Sequence, residues 1–245
     1  MSRLVSNIMA AAALTVALGS GAAFADSLSA SLYSPTAPTG TLTPIVLSGL
    51  PTGNSNIVGS GFTVDFNVAS NQGVVQGASS GNYAIPVAGV SGGQPLYLTG
   101  DYGSALTSNP AASGNYLSTG TGTITITFAT PERSLALLWG SIDTGNSITL
   151  NDAANFTVTG ADVQKAASGF VSNGYQGAGG SAYVIINTAT PFTTLTATSS
   201  VISFEFAGVA GSSSSFTATP EPSSLALLGF GGALAGFGIR RRLKA

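Results

Sequence analysis

The chain has 245 residues, of which 44% are hydrophobic and only 7% charged, against about 25% charged in ordinary soluble proteins, so Ser, Thr, Asn and Gly must dress its surface. It contains no histidine and no cysteine, which excludes disulfide frameworks, thiol chemistry, Cys-ligated zinc and Ser-His-Asp triads; no catalytic, metal or cofactor-binding set is expected. Between Asp26 and Thr219 eight acidic residues stand against two basic ones, a net charge of −6, and that argues against nucleic acid as a partner because phosphate binding needs a basic patch.

The N-terminus reads as an address. Met1 to Asn7 carries one Arg and no acid, Ile8 to Leu18 is a short apolar run, and Ala23-Phe24-Ala25 places small residues at the two positions a signal peptidase reads. Residues 1–25 are therefore expected to be a signal peptide cut between Ala25 and Asp26; the apolar run is shorter than the roughly 20 residues a membrane helix needs. Ser27 to Thr43 has linker composition. Phe62-Thr63-Val64-Asp65-Phe66-Asn67-Val68 then alternates strictly, with Phe62, Val64, Phe66 and Val68 on one face of a half-buried strand. Ser70 to Ser118 is strewn with glycines and reads as long loops with a few edge strands. Alternation returns at Thr123–Phe128 and Val201–Phe206, with weaker strands expected over Leu135–Trp139, Ser147–Leu150, Phe156–Thr159, Ala182–Ile186 and Phe192–Ala197. No helical period of any length stands out.

Many short strands separated by turn residues, such as Asp143-Thr144-Gly145-Asn146 and Ser172-Asn173-Gly174, predict an all-β body, an antiparallel jelly-roll-like β-sandwich over residues 26–210. A Ser/Thr linker is expected over 211–219, and a sorting and anchoring segment over 220–245.

Chemistry-bearing residues are sparse. Trp139 could stack on a sugar, but a single large aromatic at a strand end is read as a core anchor. Asp143, Asn146 and Asp152 carry oxygens suited to calcium without a metal-loop spacing, and as hairpin-turn residues they need only their own backbone. Lys165 and Ser168 match no Ser-x-x-Lys motif. Glu132 and Arg133 read as an exposed pair of little energetic weight. Asp65 with Glu205, or another carboxylate pair, would be needed for glycoside hydrolysis. Tyr33, Tyr83, Tyr97, Tyr102, Tyr116, Tyr175 and Tyr183 lie mostly in the Gly-rich loops, where tyrosines suit a contact surface.

The C-terminus is more specific. Thr219-Pro220-Glu221-Pro222 precedes an uncharged run from Ser223 to Ile239, followed by Arg240-Arg241-Arg242. The prolines hold the peptide extended, the run is nearly long enough for one membrane helix, and the Arg cluster stays cytoplasmic by the positive-inside rule. This order resembles the PEP-CTERM sorting domain read by exosortases, with Thr219 where Val is usual. The resemblance implies recognition at Pro220, Glu221 and Pro222 and retention by Arg240, Arg241 and Arg242. Two body segments also resemble exosortase-sorted proteins: Leu135 to Ile148, with Trp139-Gly140-Ser141 before an Asp turn, and Val201 to Val209, with an acid between two aromatics.

Together these point to an exported, non-enzymatic surface or matrix protein. Its expected partners are signal peptidase, an exosortase-type enzyme and, before processing, the inner membrane, to which the C-terminal helix anchors it ahead of display at the cell surface or release. The alternative is a carbohydrate-binding or adhesive module, with exopolysaccharide as ligand.

Overall fold

The computed structural model describes residues 25–32 and 42–215. The strict alternation at Phe62 becomes a strand that buries Phe62 and Val64 and leaves Asp65 in solvent. In chain order the strands are β1 (Ser27–Ser31), β2 (Thr43–Pro44), β3 (Ile57–Gly59), β4 (Phe62–Asn67), β5 (Gly73–Val75), β6 (Gly89–Ser91), β7 (Gln94–Leu98), β8 (Leu106–Thr107), β9 (Tyr116–Ser118), β10 (Thr123–Trp139), β11 (Asn146–Leu150), β12 (Thr157–Thr159), β13 (Ala182–Ser199) and β14 (Glu205–Ser212), with one short helix, α1 (Gly160–Ala166), after β12. The pairings are antiparallel. They form an open eleven-stranded sheet on the path β12-β11-β13-β10-β14-β9-β5, with β1, β2, β3 and β4 branching from it, and a three-stranded sheet β6-β7-β8.

The branching comes from two long strands that each absorb two of the expected short ones. Thr123–Thr127 of β10 pairs with Thr198–Thr194 of β13, and Ser134–Trp139 pairs with Asn187–Ala182, but the register breaks between them around Glu132. Pro131 and Pro191 both fall in the break, where a residue without an amide proton costs no ladder hydrogen bond. The break also switches parity. Ile124, Ile126 and Phe128 are buried on one side of it, Leu135, Leu137 and Trp139 on the other, and all six join one contiguous core. In β13 the inward set likewise passes from Val184, Ile186 and Phe192 to Leu195 and Ala197. Phe128 and Phe192 meet edge to face across the bend, with ring centroids 6.0 Å apart.

The second half of β10 is buried on both faces. Leu138, Tyr183 and Ala207 point away from the main core and are covered by Val75, Ala88, Leu98 and Tyr116, so the Gly-rich stretch expected as long loops with a few edge strands carries the short strands β5 to β9 and packs as a cover. Gly208, at φ 55°, adjoins a one-residue shift between β10 and β14 in a backbone region open mainly to glycine; its Cα faces Leu98 and Tyr102 of the cover.

Several expectations are corrected. Part of the linker expected from Ser27 is β1, which pairs residue for residue with β13 and packs Leu28 and Ala30 against the core. The strand expected from Val201 starts at Glu205, leaving Ile202 66% exposed. The Ser/Thr stretch expected from Gly211 begins inside β14, which runs to a fully buried Ser212. Helix α1 was not expected; its signal is a capping box, in which the Thr159 hydroxyl accepts from the Asp162 amide and the Asp162 carboxylate accepts from the Thr159 amide.

Register places the two chain exits together. Ser27, Asn187, Ser134 and Ser212 stand in one row across β1, β13, β10 and β14. Ser134 Oγ lies 2.5 Å from Asn187 Oδ1 and 3.0 Å from the Ser214 carbonyl, and the Asn187 amide donates to Ser27 Oγ at 3.3 Å. Trp139, Ala182 and Phe206 mark the other end of the same strands, about 17 Å away at 3.3 Å per residue.

Candidate functional site

At that far end, a half-open pocket of about 150 Å³ is lined by Asn82, Ser141, Asp143, Gln176, Ser203 and Glu205, among others. The loop leaving β10 builds one wall. Gly140 donates to the Glu205 carbonyl at 2.8 Å, and a methyl group on it would stand 2.8 Å from Pro86, so only glycine lets the two segments approach this closely. Ser141 follows at φ 42°, a left-handed conformation uncommon for a non-glycine residue. The Asp143 turn is then held from several sides: its Oδ1 accepts from the Gly145 amide at 2.9 Å, its Oδ2 from Asn173 Nδ2 at 3.1 Å, and Asn173 Oδ1 accepts from the Thr144 amide at 2.9 Å.

Glu205 is 1% exposed. One oxygen accepts from the Ala84 amide at 3.1 Å, while Oε2 has no partner among the described residues. Burial pushes its carboxyl above the ordinary range, opposed by the Ala84 amide and the Ser141 and Ser203 hydroxyls. Glu132, at the bend, is also 1% exposed with an unpartnered oxygen, and burial raises it as well, opposed by Thr130. The surface pair expected there does not form: Arg133 donates to the Ala189 carbonyl at 2.7 Å.

A carboxylate raised in the folded state contributes stability below its unfolded value of about 4.5 that is lost as pH rises through the folded value. Asp162, lowered mainly by the Thr159 hydroxyl, acts in the opposite sense at more acid pH. The melting midpoint should therefore fall between pH 5 and 8, and Glu205→Gln should flatten the fall by stabilising the protein at the alkaline end. Circular dichroism melts across this range test the point; a wild-type midpoint that climbs with pH contradicts it.

The other sequence candidates do not converge. Asp65 lies on the exposed face of β4, bonded to Asn56 at 2.7 Å, and does not line the pocket with Glu205. Asp152 caps the Phe156 amide at 2.8 Å, and the fully buried Asn146 accepts from Ser199 at 2.8 Å, so neither joins Asp143. Lys165 occupies the last turn of α1. Trp139 is fully buried, tilted against Phe204 with centroids 4.4 Å apart. Tyr116 and Tyr183 are core residues and Tyr175 is exposed, so the loop tyrosines present no shared platform; Tyr33 lies outside the described residues. Asn82 was missed because only long-range packing brings it to Glu205; Ser203 stands two residues before Glu205, where extended backbone puts both on one face, a local signal passed over.

The two body segments resembling exosortase-sorted proteins meet here, Ser141 and Asp143 from the first and Ser203 and Glu205 from the second. Of the address residues, Ala25 and Asp26 are described, and Asp26 Oδ1 accepts from the Ala189 amide at 2.7 Å beside β1. Ala23, Pro220, Glu221, Pro222, Arg240, Arg241 and Arg242 lie outside the described residues, as does the apolar run from Ser223; among the described residues no helix is long and apolar enough to cross a membrane.

Comparison with protein families finds a match over residues 218–242 to the PEP-CTERM protein-sorting motif. The tail is a PEP-CTERM sorting signal. The motif implies an exported, cell-surface-associated protein processed by an exosortase. No curated protein and no solved structure was found to match the chain. In sequence the PEP-CTERM match begins six residues after Ser212, the end of β14 that lies opposite the pocket.

Proposed function

We propose that the chain is a non-enzymatic surface or matrix protein: a β-sandwich cleaved from its signal peptide after Ala25, held at the inner membrane by the span beyond Pro222, then cut by an exosortase near Pro220-Glu221-Pro222 for display or release into extracellular polymer. The observation that carries this reading is the PEP-CTERM match at 218–242. The sandwich reading is supported by the parity switch in β10 and β13, which turns both halves of one bent ribbon toward a common core. Adjacent exits support the topology, because a signal peptide and a C-terminal span both belong to the same membrane. In this arrangement Ser27 and Ser212 face the membrane, and the pocket is carried outward on the far end of β14.

Intact mass and cell fraction, compared in a host with and without its exosortase, test the proposal. The expected mature chain starts at Asp26 and loses the tail only when the enzyme is present. A tail retained in both hosts makes the span a plain anchor and ends the sorting part of the proposal.

A further inference from the structure

We propose that the pocket at the outer end of β14 is a binding site for a small cation. Glu205 carries the case: a carboxylate 1% exposed, with Oε2 unpartnered, has no positive partner in the lining, and an uncompensated buried charge is costly. Its neighbours add acceptors. Ser118 Oγ donates to Gln72 Oε1 at 2.5 Å and shares a 2.7 Å contact with Ser203 Oγ. A hydroxyl oxygen keeps acceptor lone pairs wherever its proton points, so Ser203 Oγ offers the pocket an acceptor. Asp143 Oδ2 accepts a single hydrogen bond, from Asn173, and a carboxylate oxygen has room for another.

Nothing in the lining balances this charge. Among the described residues no Lys or Arg borders the pocket; of the two basic residues between Asp26 and Thr219, Arg133 is engaged with Ala189 and Lys165 belongs to α1. The volume, about 150 Å³, is below the 300 Å³ or more usual for drug-sized ligands, so the occupant is an ion or the tip of a larger molecule. Oxygen-only acceptors suit a hard cation such as Ca²⁺. Among the described residues no three acidic side chains cluster, so two carboxylates, hydroxyls, amides and water would complete the shell. That places affinity in the weak class of about 0.1–1 mM seen in extracellular calcium modules. A primary ammonium would satisfy the same charges, and the experiment separates the two sources. Binding requires no exosortase, so this inference stands or falls apart from the sorting proposal.

The test uses the full-length chain in a detergent without sugar headgroups, with melts and titration calorimetry in CaCl₂, MgCl₂ and methylammonium chloride at matched ionic strength. Saturable Ca²⁺ binding should raise the midpoint by about 3–11 °C at 10 mM. Glu205→Gln and Asp143→Asn should each abolish the rise, and Asp65→Asn, on the exposed face of β4, should keep it. A response to methylammonium alone, lost in the same two variants, supports an ammonium site. Absence of saturable binding to any of the three ions overturns the proposal, as does a response that survives both pocket substitutions. If Glu205→Gln fails to fold, Asp143→Asn and Ser203→Ala decide by the same criteria.

Discussion

Replacing Trp139 with Ala is expected to lower the melting midpoint by about 6–20 °C, from a loss of about 3–5 kcal/mol in a chain of this size. The indole is fully buried, sits 4.4 Å from Phe204, and Phe204 in turn sits 4.9 Å from Phe206. Removing it opens a void where the end of β10 meets the start of β14, and the strands on either side cannot both close over it. Trp139→Phe should behave differently. The indole Nε1 is buried without a partner, so phenylalanine gives up contact area but removes an unsatisfied donor that costs about 1–3 kcal/mol, leaving the variant within about 1.5 kcal/mol of wild type. Melts and chemical denaturation of both variants decide: an Ala variant that melts with wild type would show that Trp139 does not anchor this end of the core.

Gly160→Ala should also destabilise, against the expectation from helix propensity. Gly160 is the first residue of α1, and in an open helix Ala would gain about 1 kcal/mol over Gly. Here a methyl group at Gly160 would stand 1.8 Å from the Asp143 carbonyl oxygen and 2.7 Å from its carbon. That carbonyl also accepts from the Asn146 amide at 3.0 Å, so the turn is tied from its far side and cannot retreat freely. We expect a net loss of about 2–3 kcal/mol and a midpoint lower by about 4–12 °C. A midpoint equal to or above wild type would mean that the Asp143 turn yields, and with it the wall of the pocket.

Both substitutions act where long-range packing overrides what the local sequence says. Glu205 illustrates the difficulty. Its place between Phe204 and Phe206 puts it on the face opposite two core aromatics, and alternation alone assigns that face to solvent. The face is covered instead, because residues 70–118 fold back over β10 and β14, so the acid is as buried as its neighbours. Its partner Ala84 lies 121 residues away, and nothing in the spacing of either segment announces the meeting. Strand β1 was hidden for a similar reason: Ser-Leu-Ser-Ala-Ser has linker composition, and it is a strand because β13 offers it an unpaired edge. Helix α1 is a case of a signal passed over, since Thr159 and Asp162 stand at capping-box spacing.

The sequence by itself determined the antiparallel β character and the PEP-CTERM tail. Alternation at Phe62–Val68 and Thr123–Phe128 reports directly which side chains turn inward, and a sorting motif acts as a local string of residues without needing a fold. Only the tertiary structure decided that β10 and β13 are single bent strands, that both chain exits share one end, and that Ser141, Asp143, Ser203 and Glu205 line one pocket. The physical reason is that alternation sets the direction of a side chain, whereas the covering of the opposite face, and the charge that results there, depends on contacts between residues far apart in the chain.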